Sequence, residues 1–508
     1  GGADILNGGV GDDIITGGNG DDTITVSAGS DTITDLQTGD DLVVTGGTAT
    51  ANLSSNFEAD NDTTNAATAI INAHADGSTI TMTNAGSGNF DLRGKDNGDI
   101  ITGSGGADII DGKGGNDVLD GGAGTDNLTG GTGNDTFKIT SGADIITDLG
   151  GAGSDEDVLI VSSSATVSAT NVKGFTAKST TQQNNTAGAD SAVLNAKDGV
   201  DVTIDVASAG GSSKAFKLVG GTGKDNLTGG AGNDIIQGNN ANDTLKGNDG
   251  NDVLTGGAGD DTLYGGNGDD IFNISSGSDI IKDLSTGDDV IITGGSVIAE
   301  DVVAFTADSD TSNSGGTFEL KAKSTGGDIN VSGADNTGTP GYTLTSGAGT
   351  DELTGDGGND TFKVVAAGEG NSDTFVGNAG TDTIILSSGS HTFSTNTKID
   401  GIEEIKLDSS STTTVNLTGQ TEGFTIKGDA VVDNITGANG NDIITGGGGT
   451  DIIAGGAGDD SLTGNADNDT FKVDGGTDTI TDLTSGDILI VSNSAKAQAT
   501  GITAFEAT

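Results

Sequence analysis

The residues with chemistry to offer are aspartates, and they recur mostly nine positions apart. Asp4, Asp13, Asp22 and Asp31 open the series, followed by Asp108, Asp117, Asp126, Asp135 and Asp144. A third run holds Asp225, Asp234, Asp243, Asp252, Asp261, Asp270 and Asp279. Asp351, Asp360, Asp373 and Asp382 form a fourth, and Asp433, Asp442, Asp451, Asp460, Asp469 and Asp478 a fifth. Carboxylates brought together by such a period repel one another unless a cation lies between them. A hard divalent ion removes that repulsion, and carbonyls of an exposed loop complete its oxygen shell. These aspartates are therefore the candidate metal ligands.

The element that must position each carboxylate is written in the same period. Residues 220–273 read as six units in succession: GGTGKDNLT, GGAGNDIIQ, GNNANDTLK, GNDGNDVLT, GGAGDDTLY and GGNGDDIFN. Residues 103–138 give four more, 428–472 five, 8–25 two, and 355–363 and 377–385 one diverged unit each. The first six residues of a unit predict a turn rich in Gly, whose missing Cβ permits positive φ and close backbone approach. Aspartate is sixth. The last three alternate around one apolar residue, such as Ile110, Leu119, Leu128 or Phe137, and predict a very short strand with one inward side chain. A single unit cannot bury that residue, so neighbours must stack. With two units per coil, residues eighteen apart share a face, which sets Ile110 over Leu128 and Leu119 over Phe137. The aspartate turns then stack as well.

At this copy number the units resemble the GGxGxDxUx repeats of the RTX (repeats-in-toxin) calcium-binding family, over roughly half of the chain with variants included. The resemblance implies an all-β fold: a right-handed parallel β-roll or β-solenoid of stacked nonapeptide turns with intervening metal-free β segments. It implies one Ca²⁺ between adjacent turns on each side, held by the sixth-position aspartates and turn carbonyls. Multiple Ca²⁺ are expected, roughly one per nonapeptide. About nineteen such ions would bring the formal charge of −56 to roughly −18. Competing readings of the glycines are weaker. Acidic, Gly-rich sequence is often disordered, the state expected here without calcium, but random low complexity would not hold Asp and an apolar residue in phase for six units. No Walker lysine and no strand–loop–helix context makes the glycines a nucleotide loop. Asn248-Asp249-Gly250 lacks the downstream Glu of an EF-hand.

Composition agrees with a narrow architecture. The 508 residues include 92 Gly, one Pro, one Met, no Trp and 3% aromatics, too few large side chains for a wide core. The balance of 76 acidic to 20 basic residues excludes nucleic acid as a natural partner and disfavours an anionic membrane surface. Without Cys there is no disulfide framework and no thiolate chemistry. No stretch reaches the roughly 18 apolar residues of a membrane span, so no membrane insertion is expected. Gly1 already lies inside a repeat, and Thr508 follows closely on Phe505, where other blocks continue. Both ends suggest a segment of a longer, quasi-one-dimensional protein.

A longer period overlies the short one. The arrays close on Asp22-Thr23-Ile24, Asp135-Thr136-Phe137, Asp270-Ile271-Phe272, Asp360-Thr361-Phe362 and Asp469-Thr470-Phe471. In four blocks a second signature follows: GSDTITDL at 29–36, SGADIITDL at 141–149, SGSDIIKDL ending at Leu284, and GTDTITDL at 476–483. An acidic turn then leads to an apolar strand such as Asp157-Val158-Leu159-Ile160, and 16 to 18 residues later comes Phe-x-Ala, at Phe57, Phe175, Phe305 and Phe505. The connecting stretches correspond too, as in AIINAH at 69–74, AVLNAK at 192–197 and FELKAK at 318–323. Their period-two alternation, as in Ser78-Thr79-Ile80-Thr81-Met82, predicts strands that continue the solenoid or form small modules beside it. The expected organisation places RTX arrays at 1–45, 96–161, 220–293, 346–386 (diverged) and 428–491, and β connectors at 46–95, 162–219 and 294–345. A metal-free ladder at 387–427 resembles those of some bacterial surface-layer proteins, and 492–508 begins a further connector.

No catalytic signature is apparent, and no enzyme is expected. His74 and His391 lie far apart in polar surroundings and read as solvated side chains. There is no HExxH, no GxSxG and no Cys nucleophile. Pairs such as Asp12-Asp13, Asp260-Asp261 and Glu403-Glu404 could serve acid–base work, but the Asp pairs in phase with the repeat read as ligands and solvated turn residues. Tyr264 and Tyr342 stand alone and suggest no stacking platform. The resemblance to surface-layer RTX proteins implies a secreted, extracellular or bacterial cell-surface structural protein. It would self-associate into a homopolymeric lattice, sheath or filament, with a cell-surface polysaccharide anchor outside this segment. The stalk of a giant adhesin, and the secretion and folding module of a type I-secreted hydrolase or toxin, are the alternatives. In all three, low intracellular calcium leaves the arrays unfolded for export, and extracellular calcium drives folding by mass action.

Overall fold

The computed structural model describes residues 1–75, 77–150, 156–162, 165–177, 181–184, 192–209, 214–335, 341–365, 372–387 and 389–503. Among these there are strands and turns but no helix, hence none long and apolar enough to cross a membrane. The chain forms two compact units, Gly1–Asp270 and Ile271–Thr508, and each is a parallel β-solenoid.

Most nonapeptides make one strand of three to six residues with its second side chain buried. Val118–Asp120 and Asn127–Thr129 are examples, with Leu119 and Leu128 fully inside. So short a strand has no independent stability. It persists because a parallel neighbour satisfies its backbone and because each enclosed Leu or Ile contributes about 1.5–3 kcal/mol. The pairing is the one expected from the period: Ile110 beside Leu128, and Leu119 beside Phe137.

In the first unit one sheet runs along a whole face, from Ile14–Ile15 through Ile109–Asp111 to Val253–Ala258. Three shorter sheets succeed one another across from it. They start at Ile5–Asn7, Phe57–Glu58 and Phe175–Thr176. The changeover falls in the connectors, where consecutive strands Asp41–Val44, Thr48–Leu53 and Phe57–Glu58 belong to three different sheets. The second unit repeats the plan. Its long sheet runs from Ser278–Ile281 to Lys496–Ala499, faced successively by sheets containing Asp289–Ile292, Asp328–Asn330 and Thr413–Asn416.

The connector strands thus lie in the same ladders as the arrays, as in Ala51 beside Ile71 and Leu194 beside Leu218. Their coils are longer than eighteen residues, and the wider interior takes larger side chains. Phe57, Phe175 and Phe305 are buried together with Ala59, Ala177 and Ala307. In the second unit Phe375 meets Phe362 and Phe393 edge-on, with ring centres 5.9 and 6.2 Å apart. Phe505, the fourth Phe-x-Ala position, lies outside the described residues.

One expectation is corrected here. His391 is not solvated but fully buried, because the register of Gly389–Thr392 against Thr413–Asn416 sets it beside Val415 on the inward side. Its Nε2 lies 3.0 Å from the Ser387 carbonyl oxygen, and burial lowers its pKa. Tyr342 is buried too, its ring edge-on to Phe318 at 5.8 Å.

Candidate metal sites

The sixth-position aspartates form ladders along both faces of the arrays. In each rung one carboxylate oxygen, Oδ1, accepts the backbone N–H of the residue one coil earlier. The Asp108 N–H donates to Asp126 at 2.7 Å, Asp126 to Asp144 at 3.0 Å, and Asp117 to Asp135 at 2.8 Å. Asp225, Asp243 and Asp261 continue the same pattern, as do Asp234, Asp252 and Asp270. Asp433, Asp451 and Asp469 form another such column, and Asp442, Asp460 and Asp478 its counterpart. Asp4 and Asp13 donate to Asp22 and Asp31. In the diverged array Asp351 donates to Asp373 and Asp360 to Asp382. The Asp279 side chain is likewise buried. Asp4 alone of the expected ligands is exposed, in the first coil.

The second oxygen divides the turns into two kinds. In the first coil of four arrays, Oδ2 accepts the N–H of the second residue of its own turn. The donors are Ser104 to Asp108 at 2.6 Å, Gly221 to Asp225 at 2.7 Å and Gly230 to Asp234 at 2.6 Å. Lys95 to Asp99, Gly347 to Asp351, Asp356 to Asp360, Asp429 to Asp433 and Ala438 to Asp442 belong to the same set. In most later coils the second residue adopts positive φ, which turns its N–H away. Gly122 (φ 92°), Asn248 (79°), Gly447 (109°) and even Lys113 (78°) do so. The buried Oδ2 of Asp13, Asp22, Asp117, Asp126, Asp243, Asp252, Asp382, Asp451 and Asp460 then accepts no hydrogen bond, and neither does that of Asp31, Asp144 or Asp478, whose turns carry Ser27, Thr140 and Asp474 at the second place without positive φ. An unmatched buried carboxylate oxygen is costly. A hard cation is the partner it fits.

The turns bring further hard oxygens alongside. A Cβ on Gly124 or Gly458 would press on the carbonyl oxygen of Gly106 or Gly440, one coil earlier. A Cβ on Gly112, Gly247 or Gly455 would press on the Oδ2 of Asp117, Asp252 or Asp460. Glycine therefore suits the first and fourth positions, where the carboxylate and the neighbouring turn's carbonyl come closest, and where the fourth is Ala241 or Asp467 that residue takes a positive φ of 72° or 77°. With protons instead of a metal, burial pushes these carboxyls up, against the backbone N–H bond and with help from neighbouring carboxylates. Asp117, Asp126, Asp243 and Asp451 rise to about 7 and Asp252 to about 8.

The ladders reach beyond the aspartates singled out by sequence. Asp99, nine residues before Asp108, opens the second array, and Asp40, Asp157 and Asp487 close theirs by accepting the N–H of Asp22, Asp135 and Asp469. Their place in the nine-residue phase, or in the acidic turn after each array, was the available signal. The second signature also gains a role. Asp35, Asp148 and Asp482 each clamp two successive amides of a turn one coil earlier, Asp148 those of Gly130 and Gly131 at 2.9 and 2.8 Å. Two triads of a different kind stand where an array passes into its connector, Asp41 with Asp60 and Asp62, and Asp289 with Asp308 and Asp310. In each, three carboxylate oxygens lie within 4.8 Å of one another.

The RTX calcium-binding nonapeptide repeat family matches the chain at residues 1–33, 102–137, 219–254, 246–281, 343–362, 365–390, 427–462 and 445–480. No curated protein matches it. Apart from that of Asp144, the turns with unmatched Oδ2 atoms fall within these matched segments, and the matched and intervening segments of each unit share its sheets. The chain is thus built on RTX calcium-binding nonapeptide repeats, folded as a parallel β-roll.

Proposed function

We propose that this chain is a calcium-dependent extracellular structural protein that folds after secretion and self-associates into a surface layer, sheath or filament. RTX repeats are typical of secreted proteins, which supports the location. The observation that carries the reading is the row of buried Oδ2 atoms without donors in the inner coils of each array. Bound there, calcium supplies the positive charge that those oxygens and the turn carbonyls lack. The ligands are then the open aspartates, while the capped ones, such as Asp225, Asp234, Asp433 and Asp442, hold the array to its connector through backbone N–H bonds. Fewer ions than nonapeptides follow. Long ladders through arrays and connectors alike suit a load-bearing rather than a catalytic role.

Circular dichroism and sedimentation, with and without a chelator, test this. Expected are a β-signal that collapses on calcium removal and calcium-loaded chains that form sheets or fibres. A β-signal indifferent to the chelator overturns the calcium dependence, and isolated rods in calcium make the chain a stalk instead.

A further inference from the structure

The chain carries only 20 basic residues against 76 acidic ones, yet five of the nine lysines after Ile271 share one face of the long sheet in the second unit. Lys321, Thr345, Lys363, Ile385, Lys406 and Lys427 stand in register on successive strands, pointing outward. Lys282 joins them through Glu300, 2.5 Å away. Together they outnumber the glutamates of the same two columns, Glu300, Glu319 and Glu404. Glu319 accepts from Lys363 at 3.4 Å, and Glu404 is shared by Lys406 and Lys427. Beside Lys321 the surface dips into a groove of about 370 Å³ with Ala322, Gly347 and the exposed Val365 in its wall.

The sheet on the other side of the same coils has the opposite character. Its outward positions carry Asp328 and Glu352 in one column with Thr374, and Asp400 in the next column beside Val376. The single lysine there, Lys398, is tied to the Ser372 carbonyl. One unit therefore shows a lysine-bearing face and an acid-bearing face back to back.

We propose that the lysine-bearing face of the second unit docks the acid-bearing face of a second copy of this chain. This rests on the self-associating reading above and names the surface it uses. Two different faces meeting make a heterologous contact, which repeats from copy to copy and gives a ring where the rotation closes and an open filament where it does not. Opposed charges set register and partner choice more than affinity, so the contact weakens with salt.

The test uses two charge-reversal variants of the full chain in calcium, Lys321→Glu/Lys363→Glu and Asp328→Lys/Glu352→Lys, with assembly followed by sedimentation velocity and folding by circular dichroism. Each variant alone should need about tenfold more protein to assemble than the unaltered chain. An equimolar mixture should recover assembly, because each reversed face meets its complement. If a variant loses the calcium-dependent β-signal, Lys321→Gln/Lys363→Gln or Asp328→Asn/Glu352→Gln replaces it with the same expected weakening. Unaltered chain that stays monomeric in calcium overturns the self-associating reading itself. Unaltered chain that assembles while the variants match it overturns only this surface, as does a variant that assembles normally but loses binding to an anionic polysaccharide.

Discussion

The two oxygens of one carboxylate do different work in this solenoid. Oδ1 ties each turn to the coil before it, and Oδ2 is either capped by the turn's own backbone or left for a cation. In most turns this follows the φ of the residue four positions earlier, while Asp31, Asp144 and Asp478 are open without a positive φ there. Asp126→Asn and Asp252→Asn keep an oxygen for the N–H bond but remove the ligand charge. Each should lower the calcium stoichiometry by about one ion and raise the calcium midpoint severalfold, read by calorimetric titration. Asp234→Asn, at a capped turn, should leave the stoichiometry unchanged. The turn glycines are as exacting: Gly124 has φ 133° and faces the Gly106 carbonyl oxygen. Gly124→Ala should cost about 1–3 kcal/mol, seen as a lower denaturation midpoint in calcium. At this scale the period revealed the aspartates and glycines. It could not reveal the capped and open classes, because Gly221 and Gly122 hold the same place in the unit with opposite φ signs.

Among the elements, the array is the unit with ends. Its first coil is satisfied by its own amides, and in three blocks its last is clamped by the aspartate of the Thr-Asp-Leu signature. That signature was visible as a repeated phrase, but its purpose depends on contact with a turn seventeen and eighteen residues earlier. Asp148→Asn leaves one acceptor for two amides. It should cost about 1–3 kcal/mol and speed hydrogen exchange at Gly130 and Gly131, with distant amides unchanged. The connectors were legible as strands from their alternation. Their passage through three sheets was not, since it follows from coil length and from how Phe57 or Phe305 widens the interior.

For the whole molecule, charge and fold are coupled through the buried aspartates. Their folded pKa lies above the ordinary carboxyl value, near 7 for Asp117, Asp243 and Asp451. Between about pH 4 and 7 the folded ion-free chain therefore holds protons that the unfolded chain has released. Stability from this source is full below pH 4 and is lost as pH rises through 7. Without calcium, the β-signal should survive near pH 4.5 and fade towards pH 8, where a net charge of −56 adds self-repulsion. With calcium the fold should persist at pH 8, and binding at pH 6.5 should release protons, measurable by calorimetry in buffers of different ionisation enthalpy.

The sequence alone determined the stacked nonapeptide coils, their eighteen-residue register and the aspartate columns. Each of these is local and periodic: one apolar side chain and one carboxylate per unit leave no other regular way to bury the first and gather the second. Tertiary structure decided which carboxylates are open, what the Thr-Asp-Leu signature clamps, and that His391 in Gly-Ser-His-Thr points inward. Those outcomes rest on backbone dihedrals and on the coil that happens to lie beneath, and neither is written at the position it controls.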